Sequence, residues 1–238
     1  MKKRYIVLIV ILILLLSILA FGIYYVNDYY HAEKVASDYL NGTDNVSVVE
    51  TSNGLLLDGP GNDSAVIFYP GAKVEYTSYL PFLMKLADGG IDCYLVEMPY
   101  NIAFLGEDSA GEIIDCGNYS HYFLAGHSLG GVVAADYVNK TNESDGLILI
   151  SAYPTNEIHK PVLSIYGSED KVLDLEAYNN SKDLMKDNFT EFIINGANHA
   201  QYGNYGNQDG DGTAKISDET QQSQCSGEII EFINSVAI

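Results

Sequence analysis

The sequence predicts an α/β fold, a mostly parallel twisted sheet with helices on both faces, preceded by one N-terminal transmembrane helix. Three observations carry that expectation. From Ala65 onward, apolar runs of strand length alternate with stretches of helical periodicity, the pattern of parallel strands joined through crossover helices. One such run, Tyr122-Phe123-Leu124-Ala125, passes directly into Gly126-His127-Ser128-Leu129-Gly130 and then into a helical pattern, which reads as a sharp strand–turn–helix. At the front, residues 6–26 are apolar apart from Ser17 and Gly22.

In chain order, residues 1–29 read as a signal anchor. About 20 apolar residues cross a bilayer as a helix, whereas a cleaved signal peptide has a shorter apolar region. Lys2, Lys3 and Arg4 precede the run, and a basic flank stays on the cytoplasmic side, so the remainder is expected outside the cytoplasm. Ala20 and Gly22 leave cleavage, and hence secretion, as the alternative. Residues 30–45 are polar and tyrosine-rich and read as a juxtamembrane stalk, with His31 a solvated surface histidine. Residues 46–238 form the main domain. It opens with a hairpin, strands 46–50 and 55–58 around the turn Thr51-Ser52-Asn53-Gly54, suited to an antiparallel sheet edge. Parallel strands follow at 65–69, 92–97, 121–125, 146–151, 161–166 and 191–194. Helices are expected at 76–88, 107–116, 130–139, 174–185 and 217–235. The connection 152–160 is too short for a helical lid.

Charge narrows the partners. Asp and Glu number 32 against 12 Lys and Arg, a formal charge of −20, and three of those basic residues belong to the anchor. Such a surface repels nucleic acid, so no nucleic-acid partner is expected. Eight N-x-[ST] sequons, at Asn41, Asn45, Asn62, Asn118, Asn139, Asn142, Asn179 and Asn188, exceed the roughly two that composition predicts and point to a glycosylated surface protein. Cys93, Cys116 and Cys225 are too few and scattered for a disulfide framework or zinc site. A single Cys93–Cys116 bridge and buried free thiols are the two readings left.

The chemistry is expected at the rim formed by the C-terminal strand ends. A serine in a tight strand-to-helix turn has a strained backbone, so its neighbours two positions away must lack a Cβ. Its hydroxyl stands above a helix N-terminus that favours developing negative charge. Ser128 is therefore the candidate nucleophile. In such folds an acid and then a base follow in chain order. Asp170, past the strand ending at Tyr166, is preferred to Glu169 as the acid, because a tight turn can aim its short side chain inward. The alternative for Asp170 is a helix N-cap, a role Asp174 could fill instead. His199, past the last strand, is the candidate base, since His121, His127 and His159 sit in poorer positions. Leu129 and Ala72 are expected to supply the oxyanion amides, with Gly71 and Lys73 close alternatives to Ala72. The glycine-rich segment 203–212 lacks the ligand order of a calcium loop and is expected to border the site. No metal or cofactor is expected.

Together these residues resemble the α/β-hydrolase superfamily, and more narrowly its small lidless, dienelactone-hydrolase-like branch, the α/β-hydrolase fold-5 family. The resemblance covers roughly residue 46 to the end. It rests on Phe68-Tyr69-Pro70-Gly71-Ala72-Lys73-Val74, Glu97-Met98-Pro99-Tyr100-Asn101, Gly126-His127-Ser128-Leu129-Gly130-Gly131 and Tyr166-Gly167-Ser168-Glu169-Asp170. Gly196-Ala197-Asn198-His199-Ala200-Gln201-Tyr202-Gly203, continuing to Asp209-Gly210-Asp211-Gly212, is its most specific part. The resemblance implies hydrolysis of an ester-type substrate through an acyl-serine. Dienelactone hydrolases proper use cysteine where this chain has Ser128, so dienelactone itself is not implied as substrate. The expected partners are a small-molecule or surface-borne acyl substrate and, through the N-terminal helix, the membrane. The alternatives are an acyltransferase using the same three residues and a non-catalytic surface binding protein on this scaffold.

Overall fold

The computed structural model describes residues 2–185 and 189–237. A long helix, α1 (Lys2–Asn27), projects from the domain, touching it only near its C-terminal end, with its apolar side chains exposed. It is long and apolar enough to cross a membrane. At 1.5 Å per residue its 25-residue apolar span, Lys3–Asn27, covers about 37 Å, more than the roughly 30 Å of a hydrocarbon core.

Residues 30–45, expected as a stalk, lie against the domain. The Tyr30 amide donates to Lys73 O at 2.7 Å, the Glu75 amide to Tyr30 O at 2.9 Å, and the Glu33 amide to Asn204 O at 2.8 Å. A short helix, α2 (Lys34–Ser37), buries Ala36 completely. Its partners lie far along the chain, which is why local composition reads only as polar linker.

The domain is built on β1 (Ser47–Thr51), β2 (Gly54–Asp58), β3 (Ser64–Tyr69), α3 (Leu80–Asp88), β4 (Asp92–Val96), α4 (Ser109–Cys116), β5 (His121–His127), α5 (Leu129–Lys140), β6 (Gly146–Ile150), β7 (Val162–Gly167), α6 (Leu175–Ser181), β8 (Phe189–Ile194) and α7 (Asp218–Val236). Among the described residues the strands form one sheet ordered β1-β2-β4-β3-β5-β6-β7-β8. The hairpin pairs antiparallel with itself and with β4; every later pairing is parallel. Strand alternation divides the core into two layers. Val66, Phe68, Phe123, Ala125, Ile148 and Ile150 face the side covered by α3 and α7. Ala65, Ile67, Leu124, Leu147 and Leu149 face the side covered by α4 and α5. Strands buried on both faces read in sequence as unbroken apolar runs, and this is why they could be located there.

Element ends differ from expectation where capping chemistry intervenes. The stretch 76–88 opens as a 3₁₀ turn, Tyr76–Tyr79, before α3 with Pro81 in its first turn. α6 is shorter than expected, because a 3₁₀ turn takes Lys182–Leu184. Its N-cap is Asp174, whose carboxylate accepts the Glu176 and Ala177 amides at 3.0 Å. α7 is capped by Ser217.

Cys93 and Cys225 are buried thiols and Cys116 is an exposed one, so the Cys93–Cys116 bridge is not formed. The sequon asparagines 41, 45, 62, 118, 139, 142 and 179 are all exposed; Asn188 lies outside the described residues.

Phe68 is fully buried in β3, its ring 4.9 Å from Tyr79 and 6.0 Å from Phe82 between centroids. Phe68→Ala should therefore lower stability by about 3–5 kcal/mol, read as a shift in the denaturant midpoint of the full chain.

Candidate active site

Ser128 sits at the sharp junction of β5 and α5 with φ 53° and ψ −125°, a left-handed backbone that costs a non-glycine residue free energy. Two contacts hold it there. Its amide donates to Ile150 O at 2.9 Å, and its carbonyl accepts the amides of Gly131 and Val132. The flanking glycines are required sterically. A Cβ on Gly126 would lie 2.4 Å from the Gly130 carbonyl carbon, and one on Gly130 would lie 2.2 Å from Tyr69 O. Only without side chains can α5 start this close to β3 and β5.

Asp170 follows β7 and is 3% exposed. Its two oxygens divide the work. Oδ1 accepts the Val172 and Leu173 amides, each at 2.9 Å, while Oδ2 accepts from His199 Nδ1 at 2.9 Å. Glu169, the neighbouring carboxylate, instead meets Lys215 Nζ at 2.6 Å on the outside. Burial opposes ionisation of Asp170, but the hydrogen bond and charge of His199, with the Leu173 amide, outweigh it and bring its pKa below the ordinary aspartate value. Asp170 is the carboxylate, and His199 carries its proton on Nδ1.

His199 is 1% exposed, and its Nε2 is buried without a hydrogen-bond partner among the described residues. It shares with Ser128 the wall of a cleft of about 230 Å³, which Leu129, Val132, Ser151 and Tyr153 also line. The turn carrying His199 is held from α7, by a residue the sequence did not single out, and from the glycine-rich segment. Gln221 of α7 grips the Asn198 peptide from both sides: its Oε1 accepts the amide at 3.1 Å and its Nε2 donates to the carbonyl at 2.8 Å. Asp211, in the glycine-rich segment, accepts the Ala200 amide at 2.9 Å, and Gly212 O accepts from Asn198 Nδ2 at 2.9 Å. The segment 203–212 thus buttresses the turn carrying His199. A signal for Gln221 was present, because it falls on the same i, i+4 face of α7 as Cys225, Ile229 and Ile233, all buried. A polar residue on that face requires a buried partner.

Of the loop amides after β3, that of Gly71 donates to Tyr79 Oη at 3.1 Å and that of Lys73 to Asn101 O at 2.9 Å. Ala72 is left as the amide without a protein acceptor among the described residues. The Leu129 amide opens α5, where first-turn N–H groups have no intrahelical acceptor. Tyr79 Oη also lies 2.8 Å from His127 Nδ1, joining the elbow to this loop. The remaining histidines are elsewhere: His121 beside Asp145 at the far end of β5, and His31 and His159 exposed beside Glu75 and Glu157.

His127 stacks on His199 with ring centroids 4.5 Å apart. Burial first, then the charge of His199, lower its pKa well below the ordinary 6.5. Folding keeps this ring neutral, whereas the unfolded chain takes up a proton below about pH 6.5. Its contribution to stability is therefore intact above that pH and is lost as pH falls toward the depressed folded value, at up to about 1.4 kcal/mol per pH unit. His127→Gln should show a shallower decline between pH 7 and 5 in denaturant midpoints.

The profile described as Alpha/beta hydrolase family matches residues 65–223. No curated protein sequence matches the chain. Among solved structures, TT1662 from Thermus thermophilus is similar at 13% identity and a TM-score of 0.61, over 81% of this chain and 98% of that one. Carboxyl esterase 2 from Tuber melanosporum is similar at 9% identity and a TM-score of 0.62, over 88% and 92%. XC6422 from Xanthomonas campestris, described as an a/b serine hydrolase without lid, is similar at 13% identity and a TM-score of 0.54, over 81% and 95%. At such identities these likenesses concern the fold. With the family match spanning most of the domain, the chain belongs to the alpha/beta hydrolase family.

Proposed function

We propose that this protein is a membrane-anchored, extracytoplasmic serine hydrolase that cleaves an ester-type substrate through an acyl-Ser128 intermediate. The observation that carries the reading is the buried Asp170–His199 pair, with Nδ1 committed to the carboxylate at 2.9 Å and Nε2 unpartnered on the wall it shares with Ser128. His199 takes the Ser128 proton as the hydroxyl attacks the substrate carbonyl, and the Asp170 carboxylate stabilises the imidazolium that forms. The tetrahedral oxyanion is held by the amides of Leu129 and Ala72. His199 then returns its proton to the leaving alcohol. In the second half-reaction it activates a water, which attacks the acyl carbonyl and frees the acid and Ser128.

The cleft of about 230 Å³ lies below the usual 300–1,000 Å³ of pockets that enclose a drug-sized ligand. It fits short acyl groups better than long chains. Among the described residues no helix stands between β6 and β7, so no lid from that connection covers it. Membrane anchoring is supported by α1, long and apolar enough to span. The extracytoplasmic side is supported by Lys2, Lys3 and Arg4 at its start and by the exposure of the seven described sequon asparagines.

The test is labelling of the full chain by a fluorophosphonate probe together with turnover of short p-nitrophenyl esters. Ser128→Ala should abolish labelling, and Ser128→Ala and His199→Ala should each lower turnover by at least about a thousandfold. A folded wild-type chain that neither labels nor turns over would leave the reading without support.

A further inference from the structure

The end of the anchor helix is joined almost without slack to the loop that carries the Ala72 amide. α1 ends at Asn27, and by Tyr30 the chain is already bonded to that loop, in a parallel bridge to Val74 with Tyr30 N donating to Lys73 O. Lys73 adds two contacts to the anchor. Its Nζ lies 2.7 Å from Asp28 Oδ2 and 4.8 Å from the centroid of the Tyr25 ring. Three residues of extended chain reach only about 10 Å. If α1 spans a bilayer, the loop 71–74 must lie at its surface.

The same edge carries an apolar patch that nothing in the domain covers. α1 lies beside the turn Pro99–Asn101, and α5 packs on the following turn, Ala103–Leu105. Within these two turns Tyr100 is 67% exposed, Phe104 54% and Leu105 57%, more than any other large apolar side chain of the domain. Tyr100 and Asn101 both hold left-handed backbones, φ 56° and 55°. That conformation turns Asn101 O onto the Lys73 amide, so the patch is fixed to the loop beside Ser128. Burying three such side chains is favourable at roughly 25 cal/mol per Å² of apolar area, and aromatic residues settle at the interfacial layer.

We infer that residues 99–105 form a membrane-contact element. They enter the interfacial layer of the bilayer that holds α1, so that the mouth of the Ser128 cleft opens at that surface and receives esters carried by membrane components. The inference rests on the anchored-hydrolase reading and specifies where its substrate comes from. The acidic chain, at −20 overall, favours a neutral or zwitterionic surface over an anionic one.

The chain contains no tryptophan, so a single one reports its own surroundings. We would insert full-length Phe104→Trp into phosphatidylcholine vesicles, with and without brominated acyl chains, and score incorporation by flotation. Ser120→Trp, exposed at the opposite end of β5, serves as the control. A side chain 5–10 Å into the headgroup boundary should show blue-shifted emission and roughly twofold quenching by bromine, with the control unaffected. A floating Phe104→Trp chain whose emission is neither shifted nor quenched overturns the inference while leaving the anchor intact. Emission that is blue-shifted but unquenched overturns it in favour of a protein covering the patch. A chain that does not float refutes the anchor, and the inference with it. Each readout is independent of catalysis, so loss of esterase activity alone would count against the hydrolase reading and not against this contact.

Discussion

The arrangement depends on one backbone constraint, the left-handed turn at Ser128. It reverses the chain within a single residue, so that β5 ends and α5 begins with the serine at the crest. A non-glycine residue in such a conformation costs on the order of 1–3 kcal/mol. The cost is offset by the Ile150 carbonyl, which accepts the Ser128 amide, and by the Ser128 carbonyl, which starts the helix. Because Gly126 and Gly130 carry no Cβ, α5 settles against the end of β3. That contact places the Leu129 amide near the loop 70–74, and Tyr79, hydrogen-bonded to both Gly71 and His127, holds the two together.

Around that crest the groups that set the position of His199 are buried and committed. Asp170 satisfies its turn with one oxygen and His199 with the other, so the carboxylate cannot rotate without breaking bonds on both sides. Gln221 and Asp211 fix the backbone from which His199 projects. Among the described residues His199 Nε2 is left without a partner on the cleft wall, as are Ser151 Oγ beside it and, deeper in, His127 Nε2 and Tyr202 Oη. An unpartnered buried nitrogen is costly as structure and useful as a proton acceptor.

Much of this could be read in the sequence, for physical reasons. Strands buried on both faces appear as continuous apolar runs, and the glycine spacing around Ser128 follows from sterics. Asp170 and His199 stood out because each follows a readable strand at the end where the crossover topology gathers functional groups. What escaped was non-local. Ala72 was preferred from the loop itself, but what commits the Gly71 and Lys73 amides, Tyr79 and Asn101, has no sequence mark of that role. The docking of residues 30–37 depends on Asn204 and Tyr205, some 170 positions later. The Gln221 clamp was announced only as a polar residue on an apolar helix face.

That docking ties the N-terminal helix to the loop that carries the Ala72 amide, because Tyr30 bridges to Val74 within it. We propose that Asp170 fixes His199 with Nε2 free to accept the Ser128 proton. The measurement that tests it most directly is the rate of fluorophosphonate labelling of the full chain carrying Asp170→Asn, at neutral pH, with folding verified. Labelling should be slower by roughly three to four orders of magnitude, because the amide no longer holds the ring's proton on Nδ1. Labelling at the wild-type rate by a folded Asp170→Asn chain would contradict it.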